Sequence, residues 1–192
     1  MPEPVRIGDH ALDNLRYIRE TMERAGSFTS IPGWGGLAIG ITAVGAGIAV
    51  RNRTGEAWLS GWLIEALIAA AIAIVTMAIK GKRAGVDFTA APARRFFASY
   101  FAPLIAGAIL TFVLWRAEQY LAMPALWLLL YGASFVTSGA HSIRVIPVMG
   151  LLYMLLGVAA AVIPEAGNLF MTVGFGGLHV IFGFVIARSY GG

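Results

Sequence analysis

The chain contains no cysteine, which excludes disulfides, thiolate nucleophiles, zinc-thiolate sites and iron-sulfur clusters. It is also poor in charge: Asp, Glu, Lys and Arg make up 12% of its 192 residues, against about 25% in an ordinary soluble domain. Catalytic clusters are missing as well. No two histidines and a carboxylate stand at the helical spacing a membrane metalloprotease needs. Ser134 and Ser138 have only His141 within about a turn as a base, so hydroxyls bonded within a helix explain them more simply than a nucleophile does. A phosphate-binding loop around Gly81 would need glycine at the position of Thr76 and serine or threonine at that of Arg83.

What fills the chain instead is apolar residue, at 58% of the composition and a mean hydropathy of +0.77. It falls into six runs: Ile31 to Val50, Leu59 to Ile79, Phe97 to Trp115, Leu121 to Ala140, Val145 to Ile163 and Leu169 to Ala187. About 20 residues at 1.5 Å rise cross a hydrocarbon core of roughly 30 Å, and each run approaches that length. Pro124 near the start of the fourth run sits where a helix has no hydrogen bond to lose. The expectation is an all-α polytopic membrane protein: a cytoplasmic arm over residues 1–30, then a six-helix transmembrane domain over 31–192.

With the N-terminus inside, the cytoplasmic segments hold Arg6, Arg16, Arg19, Arg24, Lys80, Lys82, Arg83, Arg94, Arg95, Arg144 and Arg188, against Arg51, Arg53 and Arg116 outside. This asymmetry predicts cytoplasmic termini in a bacterial inner membrane. The first run is long enough to remain as an anchor rather than a cleaved signal. The net charge of +4 would then face anionic lipid headgroups, with no need for nucleic acid as a partner.

In the arm, Leu12, Leu15, Ile18, Met22 and Ala25 recur at the three-and-four spacing of an amphipathic helix over residues 11–25, and Gly26 supplies a stop. Such a helix can lie on headgroups or dock onto a partner or second copy. Ser30 and Pro32 are expected to cap and open the first span. Between spans two and three, Lys82, Arg83, Arg94 and Arg95 precede Phe96, Phe97, Tyr100 and Phe101. That order predicts a lipid-headgroup anchor, with arginines at phosphate level and rings just below.

Small residues four apart mark candidate packing faces: Gly36 and Gly40, Ala43 and Gly47, Ala66 and Ala70, Ser134 and Ser138, Gly183 and Ala187. Proline followed by glycine near the starts of spans one, three and five (Pro32, Pro103, Pro147) is compatible with three related helical hairpins.

Two ionisable residues lie well inside spans, Glu65 and His179, and they form the candidate intramembrane polar site. A charge at the bilayer centre costs about 2.5 to 3.5 kcal/mol on insertion scales, so such groups face the bundle interior or water. By helical rise, Glu65 lies about 9 Å and His179 about 15 Å below the outer ends of their spans, so direct contact is not required by the sequence. A haem held by two histidines is disfavoured, because His141 falls at the end of span four.

The last hairpin, with Gly150, Gly157, Pro164, Gly177, Gly183 and the closing Ala187-Arg188, is similar to the glycine-and-proline-punctuated hairpins of the six-helix HdeD-like acid-resistance membrane proteins. The whole chain resembles uncharacterised small bacterial membrane proteins, most distinctively at Leu15 to Glu23 and Pro32 to Gly36. The first hairpin departs from the HdeD-like pattern, with Ala43 and Val50 where glycine and proline would stand, and no functional residue is carried over. The expected function is a non-enzymatic oligomeric or accessory membrane component without cofactor or metal, its N-terminal helix serving as interaction element. The alternatives are a small transporter or channel handling protons or a solute through Glu65 and His179, and a redox-cofactor scaffold.

Overall fold

A computed structural model describes Asn14, Leu15, Tyr17, Ile18, Met22, Gly26 and residues 28–190. Among these the chain is helical, and its only β pairing is a single parallel bridge between Phe28 and Ser142. Five helices are long and apolar enough to cross a membrane: α2 (Gly55–Arg83), α3 (Ala91–Arg116), α4 (Tyr120–Gly139, opening in a 3-10 turn), α5 (Val145–Val162) and α6 (Pro164–Ser189). A shorter apolar helix, α1 (Gly33–Ala49), precedes them. The amphipathic pattern of residues 11–25 lies largely outside the described residues. Leu15, Tyr17, Ile18 and Met22, which are described, are helical and exposed.

Backbone contact holds the bundle together in two places. α1 runs antiparallel to α6. A Cβ on Gly40 would stand 2.6 Å from Val180 N and 2.7 Å from Gly176 O, and a Cβ on Gly183 would stand 2.8 Å from the Gly36 carbonyl carbon. Only glycine permits that approach, and close approach is what drives association where lipid tails are as apolar as leucine. α4 and α5 meet in the same way: a Cβ on either Gly132 or Gly150 would lie 2.6 Å from the other's carbonyl oxygen. The expected faces Gly36/Gly40 and Gly183/Ala187 are therefore real contacts. Ser134 and Ser138 are fully buried and bond to Leu130 O and Ser134 O within their own helix.

Several helix-end devices differ from expectation or were not anticipated. Ser30 does not cap α1: the N-cap position is Pro32, without a side-chain hydrogen bond, and the Ser30 hydroxyl is buried without a partner among the described residues. α2 stops at Gly85, whose φ of +63° lets Val86 N reach Gly81 O at 2.9 Å in a glycine-terminated helix end. Pro103, inside α3, cannot donate to Ser99 O, and the Thr137 hydroxyl of α4 stands 3.1 Å from that carbonyl and 2.9 Å from Ala133 O in its own helix, so its one proton can serve either.

One end of the bundle gathers the start of α1, the ends of α2 and α6, and the 84–90 and 140–144 connections. Lys80 Nζ donates to Ile31 O at 2.9 Å and Tyr190 O at 3.0 Å, while Phe28 N donates to His141 O at 2.7 Å. Here Phe28 packs among Phe88, Phe96 and Phe97, with ring centroids 4.8 to 6.0 Å away. Of the expected anchor residues Lys82, Arg83, Arg94 and Arg95 are exposed and Phe101 is 50% exposed, whereas Phe96 is 3% exposed and packs internally against Phe28.

Candidate functional site

α2 and α3, although consecutive, barely touch. Their separation opens a cavity of about 450 Å³, lined on α2 by a stripe from Trp58 to Met77 and on α3 by Phe96 to Leu104. α4, α5, α6 and α1 form its floor. On α2 the stripe includes Ala66, Ala69, Ala70 and Ala73, so the Ala66/Ala70 pair faces an open groove and not another helix, contrary to its reading as a packing face. The rise from Trp58 to Met77 is about 28 Å of helix, close to the full hydrocarbon thickness.

Both sequence-predicted polar residues line this cavity. Glu65, 5% exposed, is joined to Thr42 of α1, with Thr42 Oγ1 to Glu65 Oε1 at 2.8 Å. The same hydroxyl also lies 2.9 Å from Ile39 O. Thr42 has one hydroxyl proton, so an ionised Glu65 competes with Ile39 O for it, whereas a protonated Glu65 donates to Thr42 and lets both bonds form.

His179, 6% exposed, is the hub of a chain drawn from four helices. Its Nε2 lies 3.1 Å from the Tyr131 hydroxyl of α4, and its Nδ1 lies 2.7 Å from the Tyr153 hydroxyl of α5 and 2.9 Å from Phe175 O. Tyr100 of α3 donates to the Tyr131 hydroxyl at 3.3 Å. With the proton on Nδ1, Phe175 O is served and Nε2 accepts from Tyr131; with it on Nε2, Tyr131 oxygen accepts and Nδ1 takes the Tyr153 proton, but Nδ1 and Phe175 O then face each other as two acceptors. Moving one proton between ring nitrogens therefore reverses the direction of the chain. Both nitrogens are engaged, so ligation of a metal or haem by His179 would first have to break a hydrogen bond. Among the described residues no group of three potential ligands gathers for a metal.

Glu65 and His179 lie at different levels, in keeping with the offset inferred from span ends: Trp62, three residues before Glu65, bonds Asn168, which stands eleven residues, about 16 Å of helix, before His179. α6 begins at Pro164, five residues before its apolar run, and contains a π-helical stretch, Thr172–Leu178, immediately before His179. π-turns occur often at functional positions in helices. Glu65 and His179 bond to different partners, with no hydrogen bond between them.

Asn168 is a residue that sequence reasoning missed. Its Oδ1 accepts from Trp58 Nε1 at 2.9 Å and Trp62 Nε1 at 3.0 Å, while its Nδ2 donates to Gly47 O at 3.1 Å. Indole only donates and a carbonyl only accepts, so this amide orientation alone satisfies all three. The signal available in the sequence was a polar amide at the head of an apolar run facing two tryptophans four residues apart. No protein-family model, curated protein or solved structure matches this chain.

Proposed function

We propose that the protein is a non-enzymatic membrane component whose working surface is the groove between α2 and α3, where it engages a guest or partner from within the bilayer. The observation that carries this is the separation of two neighbouring apolar helices over nearly the whole hydrocarbon depth. In the α2 and α3 windows only 11% of residues are buried, against 33% to 44% in α4, α5 and α6. A wide apolar cavity with a few polar groups has the make-up of a binding site. The exposed Leu15, Ile18 and Met22 favour the N-terminal segment as a second contact element.

Six crossings and a shared side for both termini are part of this reading. α1 is 17 residues long, about 25 Å of helix, and lies along α6 from Gly33 beside Ala187 to Gly47 beside Thr172. Lys80 joins the segment before α1 to the end of α6, which is the arrangement an even number of crossings produces. Lys80, Lys82, Arg83, Arg94, Arg95, Arg144 and Arg188 belong to that end, and Arg51, Arg53 and Arg116 to the other, which favours a cytoplasmic location for the first group in a bacterial inner membrane. The likeness of the last hairpin to HdeD-like proteins accords with six helices.

The test uses the absence of cysteine, which makes any introduced one unique. A spin label at Ala70→Cys, in the groove, is compared with one at Leu67→Cys, on the lipid-facing side. Engagement of the groove predicts slower tumbling and fewer collisions with dissolved oxygen at position 70; equal behaviour at the two sites refutes it.

A second reading, a small transporter handling protons or a solute, is favoured by one observation: Glu65 and His179 line the same cavity. Proton flux in liposomes, compared between wild type, Glu65→Gln and His179→Ala at matched reconstitution, tests it. Flux lost in either variant supports transport, and no flux in folded wild type counts against proton transport.

A further inference from the structure

The groove has a chemically distinct end. On α2 its stripe of Ala66, Ala70, Ala73 and Met77 reaches Lys80 at the same three-and-four spacing, and on α3 Leu104, Phe101 and Phe97 lead back in the same way to Arg94. Lys82 and Arg83 close α2 and Arg94 and Arg95 open α3 on either side of the turn at Gly85, so these four exposed cations stand at the helix ends beside that mouth. Lys80 is committed to Ile31 O and Tyr190 O but adds its charge. From residue 66 to residue 117 the only acid is Asp87. Its Oδ1 is taken by Thr89 N at 2.8 Å and Thr89 Oγ1 at 2.6 Å, so it is held by its own loop.

An apolar trough with cations only at its mouth matches one kind of molecule. We propose that the groove seats one acyl chain of an anionic phospholipid, with the phosphate at Arg94 and its basic neighbours. This rests on the groove reading above and names its occupant. From Met77 to Glu65 is about 18 Å of helix, close to the half-thickness of the hydrocarbon core that a chain from one leaflet covers. Glu65 then marks the depth at which the α2 lining turns polar and the chain ends. Aromatic walls from Phe97, Tyr100 and Phe101 give the chain a smooth, rigid face.

The experiment is native mass spectrometry of the detergent-purified protein with phosphatidylglycerol and phosphatidylcholine at equal concentration. One phosphatidylglycerol should be retained in preference. Arg94→Gln should weaken it about fivefold, and Arg95→Gln added to it by a further factor of similar size, since a basic side chain near an anionic surface contributes about that much. Arg51→Gln with Arg53→Gln, at the other end, should leave retention unchanged. Ala70→Trp, and the milder Ala73→Leu should the first not fold, should reduce retention with every arginine in place.

Equal retention of the two lipids overturns the proposal. So does loss of retention in the arginine variants with none in the folded groove-filling variants, which would mean headgroup adsorption without a seated chain. A disulfide-linked dimer through Ala70→Cys that excludes lipid would show a second copy as the occupant and overturn it too. The spin-label comparison separates the two levels. Equal labels at 67 and 70 remove the groove reading itself, whereas a restrained label at 70 without headgroup preference removes only the lipid assignment.

Discussion

Replacing Asn168 should cost more than its single, half-buried amide would indicate, because three helices meet on it. Trp58 and Trp62 of α2 both donate to its oxygen, and its amine serves Gly47 O at the end of α1. Both indoles belong to tryptophans that are 7% exposed, so water does not replace the lost acceptor. Hydrogen bonds between membrane helices average about 0.6 kcal/mol each in double-mutant cycles. Three of them give about 2 kcal/mol for Asn168→Leu, roughly a twentyfold change in an unfolding equilibrium. The assay is steric-trap or detergent unfolding of wild type, Asn168→Leu, Trp62→Phe and the double variant. Trp62→Phe should cost clearly less in the Asn168→Leu background than in wild type, by about the value of one bond. An Asn168→Leu protein within about 0.5 kcal/mol of wild type, or additive effects in the cycle, would refute the clamp.

Gly40→Val should destabilise the fold by about 1 to 3 kcal/mol, because its Cβ meets Val180 N and Gly176 O, which are backbone and cannot turn aside; the same unfolding assay reads it, and Gly45→Ala, with open space around its Cβ position, is the control. Tyr153→Phe removes a hydroxyl from a site with 0% exposure and leaves His179 Nδ1 with Phe175 O alone, which should lock the tautomer with the proton on Nδ1. Nitrogen chemical shifts of the ring should move to that single form, and unchanged shifts would show that the Tyr153 bond does not set the tautomer. In the 84–90 connection, the Thr89 hydroxyl and amide hold the Asp87 carboxyl below its ordinary 3.8. A depressed folded value means this loop contact is present above the unfolded titration and is lost as pH falls through the folded one. Thr89→Val should raise the Asp87 titration measured by carboxyl NMR, and no shift would refute the contact. The redox-scaffold alternative predicts visible absorbance in protein purified from the membrane, and a colourless, folded protein counts against it.

The helical class and the positions of the long spans were legible because length and hydropathy alone determine them. α5, expected at Val145 to Ile163, forms over Val145–Val162, and α4, expected at Leu121 to Ala140, forms over Tyr120–Gly139. The glycine faces of α1 and α6 were legible for the same local reason. Less visible was which helices would separate. Ala66 and Ala70 carry the same small-residue spacing as Gly36 and Gly40, but the glycines bring backbones together while the alanines line a groove, and spacing cannot distinguish these cases. The polar site was half legible. Glu65 and His179 stood out as charges in apolar text, but Tyr100, Tyr131 and Tyr153 read as ordinary aromatic core, and only the tertiary fold brings their hydroxyls to one imidazole. The depth offset between Glu65 and His179 was legible too, because it follows from helical rise along each span.

That π-helical stretch has a further consequence. An α-helix advances about 100° per residue, so the wider turn at Thr172–Leu178 acts as a phase offset between the half of α6 that carries Asn168 and the half that carries His179. Deleting one residue there would absorb the offset and keep both halves in their present rotation, whereas relaxing to α geometry at the present length would turn one half against the other by about that angle. Asn168 could then keep its two indoles, or His179 its two phenols, but one rigid helix could not present both. The stretch is thus the component that lets two polar clusters, each demanding its own rotation of the helix, coexist on a single span.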